Sequence, residues 1–173
     1  NKEDAQYYFG KFASLLHRGL KYADQVETTL YEELEFVRDY LILQKQRFDD
    51  DLDFSIESED DINLNNIRIP HSLVFTFVEN AIKHGLRHKI SNRNIRIQIS
   101  STSSQTEIVI TDNGIGRKES KVLKTTGTGK GLAIVTKIIE GYNKLNNRSL
   151  SYYVKDLVND NGKSTGTEVR IVA

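Results

Sequence analysis

Three short segments of the sequence combine residue types that could bind a charged ligand. The first lies in a predicted helix after Pro70, where the amide of Asn80 is followed closely by Lys83 and His84. Apolar residues at helical spacing form another face of the same segment, so the polar cluster is expected to point away from the core. A solvated helix face is the ordinary interpretation of such a cluster, and this segment alone identifies no site.

The second segment follows a strand of alternating apolar residues that ends at Thr111. Asp112 comes first, and Gly114 and Gly116 follow with one residue between them. Glycines at this spacing let the chain turn sharply and let the backbone approach a ligand closely, while the carboxylate lies at the strand end. An ordinary Asp-Asn-Gly turn would explain Asp112 to Gly114, but neither Gly116 nor the long glycine-containing connection beyond it.

The third segment places alternate glycines directly before a predicted helix. Gly127, Gly129 and Gly131 precede a helix that starts near Leu132. Free backbone N–H groups at a helix N-terminus can cradle phosphate oxygens, and the helix dipole favours their negative charge. The spacing is not that of a Walker A loop, and no buried strand precedes it directly as in a dinucleotide-binding fingerprint.

Hydrophobic periodicity predicts the elements that position these segments. A T-x-x-E capping box at Thr29 and Glu32 opens a long amphipathic helix that ends near Phe48, and its apolar stripe could bury against this domain or against another chain. The resulting fold class is α+β, with helices on one face of a mixed sheet. The other predicted elements are helices over 4–23, 70–86 (with Pro70 in its first turn) and from 132, strands from 52, over 95–99, 108–110, 150–154 and 168–172, and an irregular connection over 112–131.

Composition excludes several classes of function. The 173 residues carry 24 Lys and Arg against 24 Asp and Glu, and this neutral balance argues against nucleic-acid binding. The absence of cysteine excludes disulfides and thiolate metal sites, and the four histidines form no HExxH zinc motif. No apolar run approaches the ~18 residues of a membrane span. Because the sequence starts at Asn1 and contains no Met, we expect a piece of a longer protein.

In their order along the chain, the three segments resemble the N, G1 and G2 boxes of the gyrase, MutL and histidine-kinase ATPase superfamily, which has the Bergerat fold. Among its branches the sequence is similar to the LytS-type sensor histidine kinases. The motifs shared with that branch are Glu32-Glu33-Leu34, Arg47-Phe48, Ile69-Pro70, Val78 to Gly85, and Gly166-Thr167 before the last strand.

This resemblance implies a site for ATP and Mg²⁺. Asn80 would bind the metal through its side-chain oxygen, and Asp112 would accept a hydrogen bond from the adenine amine. Lys83 and His84 fall where the family places phosphate-contacting side chains. The glycines that would let the backbone approach the nucleotide are Gly114 and Gly116, and the residues that would hold the phosphates are Gly127, Thr128, Gly129, Lys130, Gly131 and Leu132. For Lys130, where the family often has an apolar residue, phosphate contact and simple solvation both stay open.

The resemblance also implies a two-layer α/β sandwich of the Bergerat type and a division of the chain. Residues 49–173 would be the ATP-binding catalytic domain, and residues 1–48 the end of a dimerisation and acceptor region. The expected function is that of a two-component sensor histidine kinase, which transfers the γ-phosphoryl of Mg-ATP to a histidine upstream of Asn1. The alternatives are a nucleotide-sensing interaction module that transfers nothing, and an anti-sigma-type serine kinase.

The same resemblance implies the setting of the domain. Its partners would be ATP and a response regulator, and we expect the full-length protein to be a homodimer. The domain would be cytoplasmic, and only the upstream region of the protein would reach the membrane.

Two departures from the superfamily limit the chemistry. Hydrolytic members carry a Glu four residues before the N-box Asn, and Thr76 cannot replace it as a base, so steady ATP hydrolysis should be poor. The acceptor motif Pro-His-Phe-Leu-Phe-Asn is absent from this sequence, and His17, His71 and His88 are not assigned to the site. No catalytic residue is therefore assigned within this chain.

Overall fold

A computed structural model of the chain describes residues 2–21, 25–102, 104–122 and 131–173. The helices are α1 (Lys2–Lys21), α2 (Leu30–Arg47), α3 (Leu73–Asn80), α4 (Gly116–Val122) and α5 (Gly131–Asn146), with a π-helix (Ala81–Gly85) and a 3₁₀-helix (Leu86–His88) directly after α3. The strands are β1 (Glu27–Thr29), β2 (Leu52–Ser58), β3 (Arg68–Pro70), β4 (Arg93–Ser101), β5 (Thr106–Asp112), β6 (Ser151–Val158) and β7 (Ser164–Val172).

Five of the strands form one mixed sheet in the order β2-β4-β5-β7-β6. β2 runs parallel to β4, and every other neighbouring pair is antiparallel. Ile95, Ile97 and Ile99 are buried and alternate with exposed residues, because successive side chains of a strand point to opposite faces. Apolar residues of α2, α3 and α5 pack with them in a single core. The expected α+β architecture with a mixed sheet is confirmed.

The second helix begins and ends as its sequence predicts. The Thr29 hydroxyl accepts a hydrogen bond from the Glu32 N–H at 3.1 Å, which completes the capping box together with the Glu32 carboxylate. Leu34, Val37 and Leu41 are at most 4% exposed and belong to the core that covers the sheet. The apolar stripe of α2 therefore buries against this domain, and the division after residue 48 stays a prediction.

The predicted start of the next helix at Pro70 is wrong. Pro70 ends β3, which pairs antiparallel with β1, and α3 starts only at Leu73. The His71 N–H donates to the Val26 carbonyl at 3.1 Å, so the chain stays extended past the proline, and Ser72 then takes φ 61°. At its other end the helix widens into the π-helix instead of continuing regularly to residue 86.

The predicted irregular connection over 112–131 is also partly wrong, because it contains α4. An ion pair between Arg117 and Asp156, with nitrogen–oxygen distances of 2.7 and 3.0 Å, holds the first turn of α4 to β6. α4 also packs against β7. The chain after the G1 box thus returns to the sheet.

Helix α1 contrasts with the core helices because it has no buried residue. Its link to α2 is polar: the Lys11 ammonium and the Ser14 hydroxyl each lie 2.8 Å from a carboxylate oxygen of Asp39. Among the helices that the structure describes, none has the length and apolar content needed to cross a bilayer.

Candidate functional site

The N-box and G1 segments meet where the π-helix ends and β5 stops. The Gly114 N–H donates to Asp112 Oδ1 at 2.8 Å, and the Ile115 N–H donates to the Gly85 carbonyl at 3.3 Å. A Cβ at position 114 would lie 2.5 Å from the Gly85 Cα and 2.7 Å from Asp112 Oδ1. Only glycine fits between these two segments, so this residue has a packing reason that the sequence did not show.

Asp112 is the buried carboxylate of this junction, with 5% of its surface exposed. Burial raises its pKa to about 6, although the N–H groups of Gly114 and Thr167 and the charge of Lys89 oppose the shift. At neutral pH the group is therefore an ionised acceptor in a poorly solvated place. Such a group favours a ligand that brings an N–H donor.

Gly166 is a site residue whose role the sequence analysis did not identify. Its φ of +143° is strained for any residue with a side chain, and a Cβ there would lie 1.9 Å from the Asp112 carbonyl oxygen. β7 can therefore pass directly beside the end of β5. The Gly166-Thr167 pair was noted as a motif shared with the family. Its position beside Asp112 follows from the pairing of β5 with β7, two strands that lie far apart in the sequence.

The G1 loop is fixed on its other side by polar contacts. Asn113 Oδ1 accepts a hydrogen bond from the Asn94 N–H, and Asn113 Nδ2 donates to the Asn92 carbonyl, each at 2.8 Å. Lys89 Nζ donates to the Asn113 carbonyl at 2.9 Å. Gly116, with φ +78°, then starts α4. The loop that carries Asp112 is thus tied to the chain around it without any ligand.

Asn80 is the last residue of α3 and is half-buried. One turn later the exposed Lys83 lies 2.8 Å from the Glu79 carboxylate, which partly neutralises its charge. Burial lowers the pKa of the half-buried His84, and the positive charges of Lys83 and His88 add to this shift, so the imidazole is uncharged at neutral pH. These side chains occupy one stretch, in which Asn80 offers a neutral oxygen and Lys83 a positive charge.

The predicted phosphate-binding segment is described only at its end. Gly127, Thr128, Gly129 and Lys130 lie outside the described residues, and Gly131 and Leu132 form the start of α5. Within the described ranges, no group of three or more His, Cys, Asp or Glu could hold a metal ion. An amide oxygen such as that of Asn80 suits Mg²⁺, which commonly takes few protein ligands and completes its shell with phosphates and water. The donor at this position therefore fits the implied metal.

Comparison with known proteins supports this reading. Residues 65–173 match the family described as histidine kinase-, DNA gyrase B-, and HSP90-like ATPase, and residues 1–52 match the family described as histidine kinase. Sensor protein LytS of Oceanobacillus iheyensis is 34% identical over 125 residues, which are 72% of this chain and 21% of that protein. The sensor histidine kinase/phosphatase LytS of Staphylococcus aureus strain MRSA252 is 30% identical over 141 residues, 76% of this chain and 24% of that protein.

A solved structure has the same fold. Histidine kinase ThkA, crystallised in complex with the response regulator protein TrrA, superposes with a TM-score of 0.55 at 14% identity, covering 96% of this chain and 48% of that one. The chain itself spans between a fifth and a quarter of the two LytS proteins. The first family model covers more than half of the chain and includes the N-box helix, Asp112 and β7. The chain therefore belongs to the family of histidine kinase-, DNA gyrase B- and HSP90-like ATPases.

Proposed function

We propose that this chain binds Mg-ATP and serves as the catalytic domain of a sensor histidine kinase. In the full-length protein it would transfer the γ-phosphoryl group to a histidine upstream of Asn1. The observation that carries the proposal is the buried Asp112 carboxylate, held at the junction of the N-box and G1 segments by the Gly114 N–H. Of the two LytS proteins compared above, one is named a sensor protein and the other a sensor histidine kinase/phosphatase.

Asp112 supplies base selectivity in this proposal. An ionised carboxylate accepts the exocyclic amine of adenine, whereas guanine presents a carbonyl oxygen at the corresponding position. Leaving a buried acceptor without a donor costs about 1–3 kcal/mol, which corresponds to about a tenfold preference for ATP or more. Asp112 is only 5% exposed, so water has little access to replace the missing donor.

The metal and the phosphates lie next to Asn80 in this proposal. Mg²⁺, once bound, neutralises the charge that develops on the transferring phosphoryl group. Asn80 provides an oxygen ligand for it, and Lys83 and His84 lie on the adjoining turn for contact with the phosphates. The remaining phosphate contacts are proposed for Gly127, Thr128, Gly129, Lys130, Gly131 and Leu132.

Thr76 supports transfer of the γ-phosphoryl group to an acceptor over hydrolysis of ATP by water. Its hydroxyl donates to the Ser72 carbonyl within α3 at 2.6 Å, and a threonine has no basic group that could take a proton from water. Bound ATP would therefore persist until an acceptor side chain reaches the γ-phosphate.

The setting of the domain is part of the same proposal. Residues 1–48 would be the end of the dimerisation and acceptor region of a homodimer, and residues 49–173 the catalytic domain joined to it. The partner protein would be a response regulator, by analogy with the ThkA complex with TrrA. The domain would lie in the cytoplasm, and the upstream region would connect it to the membrane.

Nucleotide titration of Asp112→Asn tests the assignment of the adenine site. The amide presents a donor where the adenine amine also donates, so we expect the affinity for Mg-ATP to fall at least about tenfold and the preference over Mg-GTP to disappear. Isothermal calorimetry on parent and variant measures both quantities. The matched control is Asp53→Asn, since Asp53 is exposed on β2. Parental ATP affinity in Asp112→Asn would show that Asp112 does not bind adenine.

A further inference from the structure

Glu33 is a buried carboxylate of α2 that binds the N-terminus of α3. The residue is 2% exposed, and its two carboxylate oxygens accept hydrogen bonds from the Ser72 N–H at 3.1 Å and the Phe75 N–H at 3.0 Å. The nearby Val74 N–H adds to the stabilisation of the ionised carboxylate. A helix N-terminus leaves its first N–H groups without intrahelical partners, and a negative charge there is favoured by the helix dipole.

The cap comes from another element of the chain. Ser72, the residue before α3, makes no capping hydrogen bond with its own side chain and has a left-handed backbone. Glu33 lies 39 residues before Ser72 in the sequence, so the N-terminus of α3 is capped by a residue of α2 and not by its own neighbours. His71 Nδ1 is 4.0 Å from Glu33 Oε2.

A second contact joins the same two helices. The Phe75 ring packs edge-on against Phe36, with 4.9 Å between ring centroids, and against Tyr40, with 5.1 Å. Phe36 and Tyr40 follow Glu33 along α2, so both polar and aromatic contacts hold the first turn of α3 against α2. A shift of α2 along or about its axis would have to move that turn as well.

α3 connects this cap to the metal-ligand position. The helix has eight residues, begins just after Ser72 and ends at Asn80. At 1.5 Å per residue its ends are about 10 Å apart, a distance over which a helix moves as one body. The place of Asn80 therefore depends on the attachment at the other end of the helix.

We infer that Glu33 is a positioning residue for the nucleotide site, through which the position of α2 sets the position of Asn80. This inference rests on the proposed function, because it requires Asn80 to bind Mg²⁺. It goes further by assigning a regulatory contact: a shift of α2 changes the metal-dependent part of ATP binding. Glu33 touches neither nucleotide nor metal in this scheme.

The test compares ATP affinity with Mg²⁺ and with EDTA in the parent chain and in Glu33→Gln. The amide keeps one acceptor oxygen and replaces the other with an NH2 donor, so the Ser72 and Phe75 N–H groups can no longer both be bound, while the side-chain volume is kept. We expect the ratio of the two affinities to fall about tenfold, whereas the affinity in EDTA changes less than about twofold because Asp112 is untouched. A general loss of folded protein would lower both apparent affinities by the same factor, so it would leave their ratio unchanged.

A matched control separates positioning from stability. Val37→Ala removes apolar contacts from the same helix, where Val37 is fully buried, but leaves the cap in place. This variant should lose thermal stability and keep the parental ratio. If Glu33→Gln does not fold, Glu33→Asp keeps a carboxyl group and withdraws its oxygens by one methylene, and an intermediate ratio is expected.

The outcomes distinguish this inference from the proposed function. A parental ratio in Glu33→Gln, or in Glu33→Asp where that variant is used, would overturn the positioning role. A parent chain that binds ATP equally with Mg²⁺ and with EDTA would overturn the metal assignment of Asn80 itself, and the positioning role with it.

Discussion

Helices α1 and α2 are successive amphipathic helices of similar length with different surroundings. α2 buries Leu30, Leu34, Val37 and Leu41 in the core that covers the sheet. α1 leaves Phe9 72% exposed and Leu20 79% exposed, and it has no buried residue. The two helices therefore show that an apolar stripe identifies the face of a helix that would bury, but not the surface that covers it.

The two helices also differ in their polar contacts, and α2 is again the more buried of the two. α2 holds buried acidic residues, Glu33 and Asp39, and both have donors from other elements. Within its described residues α1 buries no polar group, and it contributes Lys11 and Ser14 to the contact with Asp39. α2 is thus part of the core that covers the sheet, in both its apolar and its polar contacts, and α1 contacts it from outside.

The largest difference is expected from truncation of apolar residues. Leu41→Ala should lower the free energy of unfolding by about 2–5 kcal/mol, because it removes a fully buried side chain and leaves a cavity. Phe12→Ala in α1 should cost less than about 1 kcal/mol, since half of that ring is already in water. Denaturant unfolding of both variants provides the measurement. Equal losses would contradict the division between the two helices.

The next effect concerns pH and the buried carboxylate of α2. Burial raises the pKa of Glu33 from 4.5 to about 7, so the folded protein holds this proton more tightly than the unfolded chain does. Its contribution to stability is complete below about pH 4.5 and is lost as the pH rises to about 7. Relative to Glu33→Gln, the parent should therefore lose up to about 3 kcal/mol across this range.

Denaturant unfolding of both proteins at several pH values measures that difference. His71, which faces Glu33, has a pKa lowered by burial, so its own contribution rises with pH. The histidine is present in parent and variant, and the difference between them reports mainly on Glu33. A difference that stays constant with pH would show that the carboxyl titrates alike in the folded and unfolded chain.

The smallest effect is expected at the contact between α1 and α2. Lys11→Ala should cost about 1 kcal/mol, because the Asp39 carboxylate is 4% exposed and would keep only the Ser14 hydroxyl among the donors described above. Lys45→Ala is the matched control: its partner Asp53 is 78% exposed at the side chain, so its loss should be close to zero. Thermal unfolding compares them, and equal effects would argue that α1 is not anchored through Asp39.

Periodicity and local capping were enough to predict several elements. The capping box located the start of α2, and the alternation of isoleucines located strands β4 and β5. The pairing of β1 with β3 was not predicted, because three-residue strands are too short to show a period. The late start of α3 was missed for a related reason: contacts from Val26 and Glu33, distant in sequence, determine it. The π-helix after α3 was not predicted either.

In the candidate site, too, features formed by adjacent residues were predictable and features formed by distant residues were not. The strand end, the acidic residue and the glycines of the G1 box could be read from adjacent residues, and their roles toward ATP and Mg²⁺ stay predictions. The close approach of Gly85 to Gly114 and of Gly166 to Asp112 could not be read, since each joins segments that meet only in the folded sheet. Glu33 was noted as part of a family motif, but its use as a cap on α3 required the structure.

The position of β7 in the sheet has a consequence for synthesis of the protein. β7 inserts between β5 and β6, and of the described strands β6 pairs with β7 alone. On the ribosome, a nascent chain that has emerged only as far as β6 has no partner for that strand, and the wall beside Asp112 is missing. The proposed nucleotide pocket therefore cannot form before β7 has been made, and a message cut short before Gly166 would leave β5 and β6 without the strand that pairs with both, a substrate for chaperones and proteases.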